Sequence, residues 1–505
     1  MRKLALACMC LCITLFAWAQ SKTVTGVVTD SKDGKPLAGV SVTVPGGTSG
    51  VKTENDGTFS ISVPAATRTL NFSFIGYQAA SVAIPASNAV TVMMVSGENR
   101  LDEVVVVGYG TQRRKEITGN IASISGQEVA SRPIQSFDQA LGGRAPGVQI
   151  TIPSGVLNAP PVFRVRGTNS LSLSSQPLIV LDGIPVFTGD ASSTDAAANV
   201  LASINPNDIE SIDVAKDAAA SAIYGSRAAN GVIFVTTKKG KTGKAKVSLD
   251  SWVGVSNVQR LPKLLNAQQY TDFKNEALVN QGTFNANTNA FYLTNGPDGR
   301  PIDTDWYDFV YRQGLQHSHN VNVSGANDVS RYYFSAGYTD QQGIIRRNDF
   351  KRISIISNVD TRITKAITLG GKIQYSNERN LAATSSGSIP GAAFATAGLG
   401  RVPLITAPNV APFNNDGTYN VSGQFIGVMG NRVGQVGFFN PAVALDQNRS
   451  DAETNRLLGN LYLDVKPFKG LTLRTQYSID YLNVDNEFYA SPISGEGFTN
   501  NGSAT

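Results

Sequence analysis

The most distinctive residues in this chain are four consecutive valines that follow two acidic residues and precede Gly108. β-Branched residues favour an extended backbone. An extended segment can add its N–H and C=O groups to the edge of a partner's sheet. The sequence therefore predicts a protein-recognition segment here, although the valines could instead form one more strand of the domain before them. The predicted segment consists of Asp102, Glu103, Val104, Val105, Val106 and Val107.

Three charged residues between residues 116 and 240 are candidates for ligand contact: Arg164, Arg166 and Asp182. The favoured interpretation is structural, because a buried charge without a partner is strongly unfavourable and such side chains usually pair within the protein. Asp182-Gly183 is also a strong turn signal in its own right.

Enzyme and metal chemistry have little support in the sequence. His317 and His319 lie on one face of a predicted strand, but no nearby acid or cysteine completes a metal-ligand set. Residues 45–53 resemble a phosphate-binding loop, but Val51 occupies the position where that motif requires glycine. We therefore predict no catalytic residue, no bound metal and no cofactor.

The N-terminal residues have the pattern of a secretory signal. Basic Arg2 and Lys3 precede an apolar run over 4–16, and Ala17-Trp18-Ala19 is a cleavage pattern, so residues 1–19 are predicted to be removed. This segment holds all three cysteines of the chain, so thiol chemistry is not expected in the mature protein. Without Arg2 and Lys3, 41 basic residues face 38 acidic ones, and a net charge of +3 is too weak to predict nucleic-acid binding.

The rest of the chain divides into regions of different pattern. Residues 20–97 alternate short β-rich runs with turns such as Asn55-Asp56-Gly57, which predicts a β-sandwich. Residues 98–115 contain the valine segment and a basic linker. Residues 116–240 mix short helices and strands, which predicts a compact α+β domain.

Residues 241–505 contain seven runs in which apolar and polar side chains alternate. This period is typical of transmembrane β-strands, and a mean hydropathy of −0.09 fits a barrel but excludes a helical membrane bundle. The links between runs alternate between short and long, as expected of inner turns and outer loops. Seven strands do not close a barrel, so we expect the barrel to be incomplete in this chain. The predicted strands are 247–255, 319–325, 331–339, 350–360, 367–376, 457–466 and 471–481.

Several of these segments resemble SusC/RagA-type TonB-linked outer-membrane transporters. Residues 24–30, 55–59 and 74–77 are similar to their carboxypeptidase-D-regulatory-like domain, which has a transthyretin-like sandwich fold. Residues 102–110 resemble their TonB box region, and 164–167, 177–185 and 204–238 resemble their plug domain. The resemblance identifies as plug-motif residues, either structural or substrate-facing, Arg166, Gly167, Asp182, Gly183, Tyr224, Gly225 and Arg227.

The resemblance implies a function and a set of partners. Such proteins lie in the cell outer membrane, contact its lipid, and import oligosaccharides or peptides. A SusD-like lipoprotein caps the barrel, and TonB with the ExbB–ExbD complex supplies energy through residues 102–107. Two alternatives stay open: a TonB-linked surface receptor or adhesin without import, and a secreted enzyme with a regulatory β-domain.

Overall fold

The computed structural model divides the chain into two compact units. The first is Met1–Val105 with Gln112–Ile117, and the second is Val106–Thr111 with Thr118–Thr505. The predicted signal segment, 1–19, lies outside the residues that the structure describes. Those residues are 21–31, 33–45, 50–74, 77–95, 104–107, 110–113, 121–152, 155–167, 176–192, 196–216, 222–382, 399–433, 439–493 and 495–504.

The first unit is a two-sheet β-sandwich, as the sequence predicted. One sheet has the order β4-β1-β7 and the other β3-β2-β5-β6. In β4 the buried residues Phe59, Ile61 and Val63 alternate with solvent-facing ones, so each strand contributes one apolar face to the core. The strands are β1 (Ser21–Asp30), β2 (Ser41–Thr43), β3 (Gly50–Lys52), β4 (Thr58–Pro64), β5 (Thr69–Ser73), β6 (Ala80–Ala83) and β7 (Ala89–Met94).

The four valines form strand β8 (Val104–Val107), which pairs with β9 (Gly110–Arg113) in a separate two-stranded sheet. Neither sandwich sheet includes β8. The interpretation of the valines as one more sandwich strand is therefore wrong. Asp102 and Glu103 lie outside the described residues.

The second unit begins with a small α+β domain, which we call the plug. Its main sheet has the order β10-β15-β16-β13-β14, and β11 pairs with β12. Short 3₁₀ helices connect the strands at Phe137–Leu141, Val200–Ser203, Pro206–Asp208 and Ala222–Ala228. The strands and α-helix are β10 (Ile121–Ser125), α1 (Gly126–Ala130), β11 (Val148–Thr151), β12 (Val162–Val165), β13 (Leu178–Leu181), β14 (Ile184–Val186), β15 (Ile209–Ala215) and β16 (Val232–Thr237).

The plug lies against an eight-stranded antiparallel sheet, which we call the wall. All seven predicted strands are present in it, and they are longer than the sequence predicted. Its order is β17-β18-β19-β20-β21-β24-β25-β26. The strands are β17 (Gly243–Ser256), β18 (Gly314–Ala326), β19 (Ser330–Gln342), β20 (Asp349–Arg362), β21 (Ile367–Leu381), β24 (Arg449–Val465), β25 (Leu473–Ala490) and β26 (Ser503–Ala504), with a hairpin β22 (Val421–Ser422) and β23 (Phe425–Ile426) in a loop.

The links between wall strands only partly follow the predicted alternation. Two of the predicted long links, 257–313 and 382–448, are long. The third, 343–348, has six residues and is no longer than the predicted short link 466–472, which has seven. The difference between long and short links therefore depends on two loops only. The third link is short because strands β19 and β20 extend further than their apolar patterns.

The wall has its polarity reversed relative to a soluble protein. On the face away from the plug, apolar side chains are exposed, including Ile373 (60%) and Tyr477 (73%). On the face toward the plug, polar and charged side chains such as Arg352, Glu378 and Arg456 are buried. An apolar outer face and a polar inner face are the arrangement of a sheet that borders hydrocarbon.

The described parts of the two long links, 257–313, 399–433 and 439–448, pack against one another, with Val310, Leu399 and Leu445 in one apolar cluster. Trp306 is buried in the loops and donates from Nε1 to the Ala407 carbonyl at 3.1 Å. No helix in the described part of the chain has the length and apolar character needed to cross a bilayer. The loop helices are α2 (Ala267–Asn280), α3 (Trp306–Val310), α4 (Val402–Ile405) and α5 (Pro441–Asp446).

Candidate functional site at the plug–wall interface

Asp182 and Gly183 form the two-residue turn between β13 and β14. Both have positive φ angles, 48° and 88°, and Leu181 pairs with Ile184 across the turn. Two successive positive φ angles define the hairpin turn that favours Asp-Gly. The local sequence therefore fixes this turn and places the Asp182 side chain at the end of the hairpin.

Asp182 connects the plug to the wall. Its carboxylate accepts hydrogen bonds from Thr237 N at 2.9 Å and Thr237 Oγ1 at 2.7 Å, and Lys372 Nζ of β21 lies 2.5 Å from Oδ2. Burial alone would raise the pKa of Asp182, but the Lys372 ammonium and the bonds from Thr237 outweigh burial and hold the pKa below its ordinary value. The carboxylate is therefore ionised and paired at neutral pH.

The plug segment 199–208 makes several further hydrogen bonds with the wall. Asn199 and Asn205 cap its two 3₁₀ turns, accepting from Leu201 N at 3.1 Å and Asn207 N at 3.0 Å. Capping by a side chain fixes the turns. The first turn leaves the carbonyls of Val200, Ala202 and Ser203 directed at the wall, so the plug presents mainly hydrogen-bond acceptors there.

Two buried arginines of the wall donate to those carbonyls. Arg352 Nη1 lies 2.7 Å from the carbonyl oxygens of both Gln135 and Ala202. Arg456 Nη1 lies 2.9 Å from the Val200 carbonyl oxygen and 3.0 Å from Ser203 Oγ. Hydrogen bonds from a charged donor are stronger than neutral ones. These two side chains are therefore the main polar anchors of the segment.

Neutral amide side chains extend the same interaction along β21. Gln374 Nε2 donates to the Ser203 carbonyl at 3.1 Å, and Asn380 Nδ2 donates to the Ala197 carbonyl at 2.7 Å. On the other side, Asn205 Nδ2 donates to Asn320 Oδ1 at 3.0 Å and Ser354 Oγ at 3.1 Å. The plug is thus held chiefly by hydrogen bonds, whose net contribution is about 1 kcal/mol each.

Two buried plug carboxylates differ from Asp182 in their electrostatics. Burial raises the pKa of Asp208, despite hydrogen bonds from Ser335 and Tyr333 of the wall. Burial also raises the pKa of Asp138 to about 6, although Asn199 Nδ2 donates to it at 3.3 Å and Gln139 N at 2.8 Å. Asp138 lies directly beneath the cap of the 199–208 segment, so its charge state bears on the element that contacts the wall.

The other predicted plug residues lie at separate turns. Arg166 and Gly167, which follow β12, are exposed and have φ angles of 60° and 95°. Tyr224 packs near Phe234, with ring centroids 6.0 Å apart, and Gly225 has a φ of 62° at a kink. Arg227 is exposed. The predicted plug residues are therefore distributed over three turns rather than gathered in one pocket.

Sequence reasoning missed the charged wall residues that hold the plug, chiefly Arg352, Lys372 and Arg456. Arg352 and Lys372 occupy inward positions of predicted strands, so the polar phase of the alternation was the signal that could have identified them. Arg456 lies one residue before the predicted strand 457–466, in the part of β24 that the apolar pattern did not reach. Among the residues that the structure describes, no group of three or more His, Cys, Asp or Glu is arranged to hold a metal ion. His317 and His319 lie side by side, with ring centroids 5.2 Å apart.

Comparison with known proteins agrees with this architecture. A CarboxypepD_reg-like domain matches residues 24–106 and a TonB-dependent receptor plug domain matches residues 113–232. TonB-dependent receptor P26 of Formosa agariphila is 33% identical over 479 residues, covering 94% of this chain and 44% of that protein. SusC of Bacteroides thetaiotaomicron is 31% identical over 500 residues, covering 95% of this chain and 46% of that protein.

A solved structure shows the same fold. The RagAB peptide importer in its open-open state matches with a TM-score of 0.62 and 26% identity, over 77% of this chain and 43% of that one. The chain therefore spans less than half the length of these relatives. The chain belongs to the SusC-like TonB-dependent receptors.

Proposed function

We propose that this chain is part of an outer-membrane transporter that imports oligosaccharides or peptides. The observation that carries the proposal is the reversed polarity of the wall, with exposed apolar residues on one face and the plug hydrogen-bonded to the other. An apolar outer face suits lipid. A plug attached mainly by hydrogen bonds, rather than by a large apolar core, suits a component that must move during transport.

TonB, with the ExbB–ExbD complex, is the proposed energy source. It binds residues 102–107 by strand addition and pulls on the plug through the linker that follows. The isolation of β8–β9 from the sandwich sheets supports this assignment. We assign Asp182 and Gly183 a structural role at the wall, and leave Arg166, Gly167, Tyr224, Gly225 and Arg227 as structural or substrate-facing residues.

A SusD-like lipoprotein and a substrate complete the proposed system. The RagAB relative is a peptide importer, which supports peptides as one substrate class. The SusC relative is a TonB-dependent receptor by name, which supports TonB as the energy source. In this proposal the two long loops, whose described parts pack against one another, form the surface that faces the lipoprotein.

Deletion of residues 102–107 tests the proposal in whole cells. Import predicts that surface binding of labelled substrate persists while its accumulation in the periplasm stops. Substitution of the exposed residues Ala65, Ala66 and Arg68 by serine, in the link between β4 and β5 of the sandwich, is the control and is expected to leave both unchanged. Unchanged accumulation in the first variant would favour a receptor or adhesin. Recovery of the protein in the soluble fraction, with hydrolytic activity, would favour the secreted enzyme.

A further inference from the structure

Arg352, Glu378 and Arg456 form a row of buried charges on three adjacent strands of the wall. Arg352 of β20 is the register partner of Glu378 of β21. Arg456 of β24 pairs with Ser376, so it is the diagonal neighbour of Glu378. Directly opposed residues have Cβ atoms about 5 Å apart and diagonal ones are within reach of long side chains. Register alone therefore allows Glu378 to pair with either arginine.

The arginines nevertheless direct their donors to the plug. In both, Nη1 is the atom that contacts the plug: to Gln135 and Ala202 from Arg352, and to Val200 and Ser203 from Arg456. Arg456 also holds Asp480 through Nε at 2.9 Å and Nη2 at 2.8 Å. These two bonds leave Nη1 as the nitrogen that can exchange partners.

Glu378 is left without a hydrogen-bonding partner among the described residues. Its side chain is 1% exposed, and neither carboxylate oxygen accepts a hydrogen bond from them. A buried carboxyl group without such a partner is unfavourable. With the plug in place, the arginines therefore have hydrogen-bond acceptors, whereas Glu378 has no hydrogen-bonding partner among the described residues.

We propose that Glu378 is the alternative partner that Arg352 and Arg456 take up when the plug withdraws from the wall. This inference rests on the proposed function, because it requires that the plug moves. Withdrawal removes the plug acceptors from both Nη1 atoms, and rotation of the side chains brings those atoms to the Glu378 carboxylate. The new ion pairs offset part of the loss of plug contacts, so the plug is released more easily than its hydrogen bonds alone predict.

The variant Glu378→Gln distinguishes this exchange of arginine partners from a role in which Glu378 supports the arginines while the plug is docked. Glutamine keeps the shape but cannot carry the negative charge with which the released arginines would pair, so it weakens the released state. A buried cysteine placed at Ala198, a plug residue that packs against Ala382 and Ala452 of the wall, reports release by its reaction with a maleimide dye. Residues 20–505 contain no other cysteine. The assay uses purified full-length protein in detergent at a fixed urea concentration at which the strands stay folded.

The exchange predicts that Glu378→Gln slows labelling by about tenfold, the effect of removing one charged hydrogen-bond partner from the released state. Glu378→Ala is expected to change the rate in the same direction, and Ser376→Ala, at the next inward position, is the control without effect. In an Arg352→Met, Arg456→Met background the glutamine substitution is expected to do nothing. Equal labelling of parent and Glu378→Gln overturns the proposal.

Faster labelling of Glu378→Gln also overturns it, because Glu378 would then support the docked arginines. The measurement uses neither TonB nor substrate. If the labelling test contradicts the exchange of partners, the transport proposal still stands. If the deletion test in cells contradicts transport, a slower release of the plug in detergent would still require an explanation of its own.

Discussion

Lys372 of β21 and Asp182 of the β13–β14 turn form an ion pair across the plug–wall interface, with Nζ 2.5 Å from Oδ2. Their side chains are 8% and 13% exposed, so water screens the pair only weakly. Thr237 satisfies the remaining capacity of the carboxylate from the plug side. The pair therefore connects an otherwise self-contained turn to the wall.

Removing only the cation is expected to loosen the plug. Lys372→Met leaves Asp182 buried without its counter-charge, which for a buried pair is unfavourable by about 3–5 kcal/mol. The measurement is the entry of a large hydrophilic dye into cells that express the variant. The double variant Asp182→Asn, Lys372→Met removes both charges and is expected to recover most of the seal. Equal leakage of single and double variants would contradict this account.

The stability of the plug is expected to fall as the pH rises through the range from about 4 to 6. The pKa of Asp138 is raised from 3.8 to about 6 in the folded protein. The folded state therefore binds more protons than the unfolded state in this range, and its advantage is full below pH 4 and lost above pH 6. Urea titration of the plug at several pH values, read from a cysteine at buried Val129, measures the slope.

Asp138→Asn is expected to flatten that pH dependence and to stabilise the plug at pH 7 by on the order of 1–3 kcal/mol, since one pKa unit corresponds to about 1.4 kcal/mol. Glu128→Gln, which removes an exposed carboxyl of α1, is the matched control and is expected to keep the slope. A slope that survives in Asp138→Asn would assign the effect to another group.

The alternation of side chains predicted the strands because the period of two is local, but it did not predict where they end. β25 was predicted to stop at Tyr481 and continues to Ala490. Asn483, Asp485 and Glu487 take the outward positions there, so the apolar pattern ends while the hydrogen-bonded ladder continues. The alternation of apolar side chains therefore indicates how much of the strand faces apolar surroundings, and it does not indicate where the strand ends.

The candidate site was less predictable because its contacts are distant in the chain. Arg352 and Ala202 are 150 residues apart, and Arg456 and Val200 are 256 apart. Sequence pattern shows that Arg352 faces inward, but only the fold shows that a plug carbonyl lies opposite. Asp182-Gly183 was the exception: its turn is encoded locally, and only its partner Lys372 had to come from the structure.

Charge on the outer face of the wall tests contact with lipid. Ile373 is 60% exposed within the apolar rows, and Ile363, in the turn 363–366, is 57% exposed. In water, arginine at either position would have little effect. Against hydrocarbon, Ile373→Arg is expected to destabilise by about 2–4 kcal/mol near the middle of the band, and Ile363→Arg by about 0–1 kcal/mol at its edge. Folding into vesicles, followed by heat-modifiable gel mobility, compares the two variants. Equal folding of both would argue against a lipid-facing wall.

If a partner recognises β8 by strand addition, proline substitutions at successive positions of Val104–Val107 are expected to have alternating effects on uptake. Alternate residues of a strand direct their N–H groups to opposite edges, and one edge of β8 already pairs with β9. Proline removes the N–H. Proline at the two positions that face the open edge is therefore expected to reduce energised uptake at least tenfold, with substrate binding unchanged. The other two positions are expected to affect mainly the β8–β9 pairing.

Threonine at the same four positions is the control, because it keeps the N–H and the β-branched shape. It is expected to preserve uptake throughout. Equal loss at all four proline positions would indicate recognition by side chains or general unfolding of the segment. Full uptake at all four would place the energy-coupling contact elsewhere in the chain.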